Sequence, residues 1–260
     1  MARPVPGHVE RPQRLRTGRV EVESAGDRMP AYLARPEVTG RYPALVVVHE
    51  GFGPVEHIDD VCRRFANVGF LALAPNLYHR VEAPDPTDFD DVLATTFGLP
   101  DAEAVADLAA AAALLCADPE CNGRVGVIGF CSGGRQALLL ACSDAAPDAA
   151  VDCWGGFVTT ANFDEERSTE SRPTPPIDLV ERLACPLYAV VGEDDANPSP
   201  AVADELRRRL TAAGKQFEVE VFEGAGHAFF ADYRTDFYRE GPAHELWPTL
   251  VAFLERHLRP

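Results

Sequence analysis

The sequence predicts an α/β fold, a doubly wound and mostly parallel sheet with helices on both faces. Short apolar segments of strand length alternate with longer helix-like segments along the chain, which is the pattern of β-α-β units. The inner strand segments, such as residues 44–48 and 187–191, are unbroken in apolar residues, as expected for strands covered on both faces. Together these two observations favour one layered domain with a central sheet.

The elements follow one another in a regular order. The first two strands lie close together around Gly26 and Asp27, which predicts an antiparallel hairpin at the sheet edge. The later strands alternate with helices, which predicts parallel pairing. The eight predicted strands are residues 19–22, 32–34, 44–48, 70–74, 125–129, 151–154, 187–191 and 217–222, and the five predicted helices are residues 58–68, 102–116, 132–142, 200–213 and 243–258.

Two irregular stretches interrupt this pattern, at residues 82–100 and 162–177. Both are rich in Pro, Asp and Thr, and each follows the end of a predicted strand. Open α/β sheets place their ligands beyond the carboxyl ends of the strands. These stretches are therefore either lids over a site or surface insertions.

Composition excludes several classes of protein. The chain has 260 residues, 46% of them hydrophobic, which is too apolar for a disordered chain. No apolar run approaches the roughly 18 residues of a membrane span. A net charge of −17 repels nucleic acid. We therefore expect neither nucleic acid nor a membrane as a partner, which favours a small-molecule substrate. The sequence fits a monomer or a small homo-oligomer equally.

Cysteine usage and the first residues bear on location and boundaries. Seven cysteines form no CxxC pair, which favours reduced thiols in a cytoplasmic protein. Residues 1–18 are rich in Pro and Arg and lack the apolar core of a signal peptide. They predict an N-terminal tail that is mobile or packed on a neighbour, followed by a single domain over residues 19–260.

The most informative motif is Gly-x-Cys-x-Gly around Cys131, between a predicted strand and a predicted helix. It is the thiol version of the nucleophile elbow of α/β-hydrolases, in which a sharp turn lifts the side chain above the sheet. The helix that begins near Ser132 directs its N-terminal dipole at the sulfur, which favours a thiolate and stabilises an oxyanion. Cys131 is therefore the predicted nucleophile.

A base and an orienting acid follow in the chain order of an α/β-hydrolase triad. Residues 193–195 are acidic and come directly after a strand, and His227 lies in a Gly-rich loop after the last strand. The offset from the strand end favours Asp194 over Asp195 as the acid. The sequence thus predicts a Cys131, His227 and Asp194 triad.

The segment His49–Gly53 follows another buried strand and contains glycines that let backbone N–H groups turn inward, as an oxyanion hole requires. It begins with His-Glu, but Gly53 stands where a zinc-binding HExxH motif needs its second histidine. No Cys/His cluster has zinc-ligand spacing and no dinucleotide fingerprint is present. We therefore expect neither a metal nor a cofactor.

These motifs resemble the dienelactone hydrolase family over roughly residues 19–258. The resemblance implies that Glu50 pairs with the resting thiol and takes part in activating it. It also implies that the amides of Gly51 and Ser132 form the oxyanion hole. The segment Asn76-Leu77-Tyr78-His79-Arg80 is similar to the family's Asp-Leu-Tyr-x-Arg, so Arg80 is expected to hold a substrate carboxylate, unless it is a surface arginine paired with local acids.

One position departs from the family pattern. The family's second carboxylate-binding arginine is replaced by Ala231, and Arg234 lies three residues further on. Arg234 is therefore a candidate for substrate binding, and dienelactone itself is in doubt as the substrate. Phe52 and Tyr78 are candidates for an apolar pocket wall, although core packing explains both equally well.

The predicted function is hydrolysis of a small activated ester or enol lactone through a thioester on Cys131. A thiol nucleophile suits substrates with good leaving groups. Two alternatives remain: a weakly active or non-catalytic ligand-binding protein on the same fold, and a redox-sensing thiol, which lacks an evident resolving cysteine.

Overall fold

Eight strands form one sheet in the computed structural model, which describes residues 4–158 and 171–259. They are β1 (Arg16–Ser24), β2 (Asp27–Arg35), β3 (Tyr42–Val48), β4 (Leu71–Pro75), β5 (Cys121–Phe130), β6 (Ala149–Cys153), β7 (Leu187–Gly192) and β8 (Phe217–Phe222). Their spatial order is β1-β2-β4-β3-β5-β6-β7-β8. Pairing is antiparallel at β1–β2 and β2–β4 and parallel from β4 to β8. The predicted fold class is confirmed.

Helices cover both faces of the sheet. They are α1 (Glu56–Asn67), α2 (Phe89–Gly98), α3 (Asp101–Cys116), α4 (Ser132–Ala141), α5 (Pro200–Ala212) and α6 (Glu240–Leu258). The buried apolar residues of α3, α4 and α5 belong to one core layer, and those of α1 and α6 belong to the other. No helix in the part of the chain that the structure describes is both long and apolar enough to cross a membrane.

Strand β3 shows why the inner strands read as continuous apolar runs. Ala44 and Val46 face the layer of α3 and α4, while Leu45 and Val47 face the layer of α1 and α6. Successive side chains of a strand point to opposite faces. Because both faces are covered, every position must be apolar, and alternation is lost from the sequence.

Helix α2 lies within a stretch predicted to be irregular. Its start is capped by Asp88, whose carboxylate accepts hydrogen bonds from the backbone amides of Asp90 and Asp91. Val92 is the buried residue of this helix, so α2 lacks the wide apolar stripe that reveals a helix in a sequence. The other irregular stretch, residues 162–177, lies partly outside the described residues.

The N-terminal segment packs on the domain from residue 4 onward. Pro6 is buried, and its carbonyl accepts a hydrogen bond of 3.1 Å from Arg64. Gly7 lies against the ring of Trp247 so closely that a Cβ would collide with it. β1 then begins at Arg16, three residues before the predicted strand. The predicted tail of residues 1–18 is therefore corrected over its described part, which is held by these contacts and enters the sheet.

The order of the strands sets the position of the site. From β3 the chain continues to β4 on one side, and β5 pairs with β3 on the other side. Such a reversal opens a crevice beyond the carboxyl ends of the two strands. His49 and Cys131 are the first residues after β3 and β5, so they lie at the mouth of this crevice.

Candidate active site

Cys131 occupies a strained turn between β5 and α4, with φ 55° and ψ −120°. A positive φ is unfavourable for a residue with a Cβ and is sustained only by its surroundings. Here the Cys131 amide donates to the Cys153 carbonyl at 3.0 Å, and the Cys131 carbonyl accepts from the Gly134 amide at 2.9 Å. A Cβ on Gly129 would collide with the Gly133 backbone, so the glycine before the turn is required by close approach.

His227 is held by Asp195. The imidazole Nδ1 lies 2.8 Å from Oδ2 of Asp195, whose side chain is 3% exposed. The other oxygen, Oδ1, accepts from the Asn197 amide at 2.9 Å. Both oxygens are thus engaged, and the carboxylate fixes Nδ1 as the protonated nitrogen, leaving Nε2 available for a reacting group.

The carboxylate that contacts His227 therefore belongs to Asp195 and not to Asp194, and this prediction is corrected. Asp194 is exposed, and its backbone amide donates to the Ala225 carbonyl at 2.9 Å. The amide of Asp195 turns back to the Gly192 carbonyl at 3.2 Å. This tight turn at the end of β7 directs Asp195 inward and Asp194 to solvent.

The charge state of His227 is linked to Cys131. Burial lowers the pKa of His227, but the negative charge and hydrogen bond of a Cys131 thiolate, together with the bond to Asp195, outweigh burial and raise this pKa well above its ordinary value. The two side chains therefore lie within interaction distance of each other.

The loop after β3 presents the Gly51 amide through a fixed peptide plane. The Glu50 carbonyl accepts from the Gly53 amide at 3.0 Å and lies 2.7 Å from Nδ1 of His49. The Leu77 amide donates to Nε2 of His49 at 3.1 Å, so Nδ1 carries the proton. Burial lowers the pKa of His49 to about 4, which keeps the ring neutral. With its carbonyl held on one side, the Glu50–Gly51 peptide directs its N–H to the other side.

Two predicted residues complete this part of the site. Ser132 is the first residue of α4, so its amide has no partner within the helix. The Tyr78 hydroxyl donates to the Gly51 carbonyl at 3.0 Å and lies 3.1 Å from the Thr96 hydroxyl. Tyr78 is buried and supports the loop from behind.

Glu50 is buried at the cavity wall, and Tyr233 holds its carboxylate. The Tyr233 hydroxyl donates to Oε2 of Glu50 at 2.9 Å, and the Tyr233 ring stacks on His57 at a centroid distance of 4.9 Å. Asp232 anchors this loop, since its two oxygens bind His57 at 2.8 Å and Arg64 at 2.7 Å. The position of Glu50 thus depends on the segment that follows His227.

A cavity of about 360 Å³ joins these groups, a size typical of small-molecule sites. Its polar wall includes Cys131, His227 and Asp195, and apolar side chains of α2 close the opposite side. The lining residues are Glu50, Gly51, Phe52, Phe89, Val92, Leu93, Thr96, Cys131, Ser132, Arg135, Gly156, Phe157, Arg172, Asp195, Ala196, Asn197, His227, Arg234 and Phe237. A wider groove of about 1280 Å³, at the amino ends of the parallel strands, contains none of the predicted site residues.

Comparison with known proteins agrees with this geometry. The family model of the dienelactone hydrolase family matches residues 29–258. An Escherichia coli protein named "Putative carboxymethylenebutenolidase" is 36% identical over 245 residues, covering 92% of this chain and 87% of that protein. The chain belongs to the dienelactone hydrolase family. It is accordingly an enzyme of the ester and lactone hydrolase class.

Two further relatives cover nearly the whole chain. A Bradyrhizobium protein named "Probable 2-oxo-3-(5-oxofuran-2-ylidene)propanoate lactonase" is 31% identical over 240 residues, covering 92% of this chain and 94% of that protein. The crystal structure of a "Putative Dienelactone Hydrolase" from Klebsiella pneumoniae superposes with a TM-score of 0.82 at 34% identity, covering 93% of this chain and 99% of that one.

The structure does not place Arg80 where it could hold a substrate carboxylate, as the family resemblance implied, and this prediction is corrected. Arg80 is not among the residues that line the cavity. Its guanidinium binds Asp107 at 2.7 Å and Asp27 at 2.8 Å. Asp107 on α3 is fully buried, and a buried carboxylate needs a paired cation. Arg80 is therefore committed to stabilising the hairpin and α3.

Of the remaining predicted substrate-binding residues, some line the cavity and one lies outside it. Phe52 and Arg234 line the cavity, and the Arg234 guanidinium lies 4.6 Å from the centre of the Phe52 ring. Tyr78 is not among the lining residues and acts through the Gly51 loop. The sequence analysis missed Arg135 and Arg172 in the cavity wall. A signal for Arg172 existed, because it lies in one of the two irregular stretches beyond a strand end.

Proposed function

We propose that this enzyme hydrolyses a small enol lactone or activated ester through a thioester on Cys131. The observation that carries the proposal is the strained Cys131 turn facing His227, which is itself hydrogen-bonded to Asp195. A nucleophile that contacts a base, which in turn contacts an orienting acid, is the arrangement that supports covalent acyl transfer. We assign the backbone amides of Gly51 and Ser132 as the oxyanion donors.

In the first half of the reaction, the Cys131 thiolate attacks the lactone carbonyl and forms a carbon–sulfur bond. The tetrahedral oxyanion is held by the Gly51 and Ser132 amides. Collapse of this intermediate breaks the ring carbon–oxygen bond, and the leaving enolate takes a proton from the His227 imidazolium. Asp195 stabilises the imidazolium until that transfer.

In the second half, neutral His227 takes a proton from water, and the resulting hydroxide attacks the thioester. The carbon–sulfur bond breaks, the acid is released, and the thiolate and imidazolium are restored. One water is consumed per turnover. We assign Glu50 a gating role: its carboxylate, held on the cavity wall by Tyr233, accepts a hydrogen bond from the resting Cys131 thiol. As the ligand enters, the thiol proton passes to His227, which gives the thiolate and the imidazolium of the first step.

The names of the relatives suggest the substrate class. A butenolide with a carboxymethylene group and an oxofuranylidene propanoate are both unsaturated lactones that carry a carboxylate. We propose that this enzyme acts on the same class. The apolar wall formed by Val92, Leu93 and Phe157 suits a flat unsaturated ring.

The test is a panel of enol lactones, aryl esters and thioesters with the wild type, Cys131→Ala and Cys131→Ser. We expect turnover by the wild type and none by Cys131→Ala. Rapid quenching of the wild type should reveal by mass spectrometry one acyl group on the peptide that contains Cys131. Retained lactone turnover in Cys131→Ala would refute the mechanism.

Thiol alkylation provides an independent check. Burial raises the pKa of the Cys62 and Cys153 thiols well above their ordinary value and that of Cys142 to about 12. At neutral pH we expect Cys131 to react with iodoacetamide faster than these three thiols, and we expect Cys131→Ala to lose the fast phase. A non-catalytic binding protein would show neither a fast thiol nor an acyl-enzyme.

A further inference from the structure

Two arginines are buried side by side in the cavity wall. Arg135 and Arg172 are 1% and 2% exposed, and both line the cavity that contains Cys131. Asp101 binds Arg135 through two hydrogen bonds of 2.5 and 2.9 Å. Within residues 4–158 and 171–259, Arg172 has no carboxylate within ion-pair distance, so among these residues Asp101 is the acid that faces both guanidinium groups.

The contacts of Arg172 are few for a buried guanidinium. Its Nη2 donates to the Thr96 carbonyl, and its guanidinium lies 4.9 Å from the centre of the Phe97 ring. Its Nε is buried without a hydrogen-bond partner, as is the Nε of Arg135. Burial, followed by repulsion from Arg135, lowers the pKa of Arg172 to about 10. A buried cation that no described carboxylate pairs directly is unfavourable to the fold, and an anionic ligand would relieve it.

The shape of the Arg172 guanidinium and the residues around it favour a ligand with a carboxylate. A guanidinium presents N–H donors in a planar fork that matches the two oxygens of a carboxylate. The nearby cavity wall is apolar, with Val92 and Leu93 of α2 and Phe157 facing the same space. A ligand with a flat apolar body and one carboxylate at its end would satisfy both parts of the wall.

We propose that Arg172, with Arg135 beside it, is the subsite that binds the carboxylate of the substrate. This inference rests on the proposed function, because it takes Cys131 as the attacking group. It assigns the role expected of Arg80 to a different segment of the chain. Thr96 connects this subsite to the oxyanion loop, since its carbonyl accepts from Arg172 and its hydroxyl is the atom that a Cβ on Gly51 would meet at 2.8 Å.

Arg234 is the third arginine among the described residues of the cavity wall, and its surroundings fit this role less well. It is half-buried, and its guanidinium lies between the rings of Phe52 and Phe237, at 4.6 and 4.0 Å from their centres. Water reaches this guanidinium and screens its charge. Discrimination between an acid and a neutral ester is therefore expected to depend on Arg172 more than on Arg234.

The experiment compares a carboxymethylene-substituted butenolide with its methyl ester, using the wild type, Arg172→Gln and Arg182→Gln. Arg182 is a matched control, because it is exposed and pairs with Asp144 outside the cavity. For Arg172→Gln we expect kcat/KM of the acid to fall about 10- to 100-fold, mainly through KM, as for loss of a hydrogen bond to a charged group. The methyl ester should stay within about twofold.

A fall of the same size for both substrates, or no fall for the acid, would overturn the inference. The melting temperature of Arg172→Gln should not decrease, because the variant removes an unpaired buried charge. If Arg172→Gln does not fold, Arg172→Lys is the variant that tests the inference. It keeps the charge and loses the planar fork, so its acid-to-ester preference must fall below that of the wild type.

Binding to Cys131→Ala separates this inference from the proposed function. Calorimetry with the same acid and methyl ester needs no turnover. We expect Cys131→Ala to bind the acid more tightly than the ester, and we expect this difference to disappear in the Cys131→Ala, Arg172→Gln double variant. That result supports the subsite even if the wild type hydrolyses neither compound, in which case the hydrolytic mechanism alone fails. Equal binding of acid and ester to Cys131→Ala would overturn the subsite.

Discussion

Replacing Asp195 with Asn tests the contact on which the proposed reaction depends. Asp195 faces His227 with one oxygen at 2.8 Å and the Asn197 amide with the other at 2.9 Å. Asn preserves the shape and the bond to the Asn197 amide, so the fold should be retained. It removes the negative charge beside His227 and allows its NH₂ group to face Nδ1, which favours the wrong tautomer.

The magnitude follows from the geometry. A short hydrogen bond between an imidazolium and a buried carboxylate contributes about 1.5–3 kcal/mol, which corresponds to about 10- to 100-fold in rate. Loss of the correct tautomer adds to this, and the equivalent change in a serine-protease triad costs about 10⁴-fold. We therefore expect kcat/KM on an enol lactone to fall by about 10²- to 10⁴-fold.

The assay is steady-state hydrolysis, with circular dichroism to confirm the fold and Asp194→Asn as the matched control. Asp194 is exposed and contacts the loop through its backbone amide, so its variant should keep activity within about twofold, as surface changes usually do. Iodoacetamide should also react more slowly with Asp195→Asn at neutral pH, since a weaker base favours the uncharged thiol. Loss of activity in Asp194→Asn with retention in Asp195→Asn would refute the assignment.

Three further predictions concern the surroundings of the nucleophile. Tyr233→Phe releases the Glu50 carboxylate from its 2.9 Å hydrogen bond, so kcat/KM for the lactone should fall about 3- to 10-fold; kcat/KM equal to that of the wild type would contradict the gating role. His49→Phe removes one of the two hydrogen bonds to the Glu50 carbonyl and leaves the buried Leu77 amide without its partner, so kcat should fall about 10-fold or more and the free energy of unfolding by about 1–3 kcal/mol; kcat equal to that of the wild type would show that the peptide needs no support from His49. Burial raises the pKa of Asp152 to about 7 from 3.8, so the folded state binds more protons than the unfolded state between these values and loses stability as pH rises through them. Asp152→Asn should therefore raise the melting temperature at pH 8 and not at pH 4, with a gain in the free energy of unfolding of at most about 4 kcal/mol; a rise of equal size at both pH values would contradict this account.

The sequence was most informative where local geometry determines the outcome. The turn at Cys131 requires glycine at 129 because the backbone of α4 approaches there. The same close approach therefore explains the glycine in the sequence motif and the turn in the structure. The buried strands were equally readable, since coverage on both faces leaves an unbroken apolar run, as in β3. These features depend on residues that are close in the chain.

The errors arose where a distant residue decides the outcome. Arg80 matches a family motif, but buried Asp107 on α3 binds it, and no local pattern reveals this pairing. The choice between Asp194 and Asp195 depends on a turn that bonds residue 195 back to Gly192, which shifts the inward-facing position by one. A strand offset read from the sequence cannot detect such a turn.

The same distinction separates the chemistry of the site from its selectivity. The proposed reacting groups Cys131 and His227 follow strands of the sheet, whose positions the unbroken apolar runs of the core indicate. The groups that would select a ligand lie on α2 and in the segment around Arg172, where tertiary contacts such as the Thr96–Arg172 hydrogen bond replace periodicity. Substitutions in these two segments can change which acyl group is accepted while leaving the reacting groups in place. A variant of α2 such as Val92→Phe should therefore alter the order of preference among lactones and leave the rate of Cys131 alkylation by iodoacetamide unchanged.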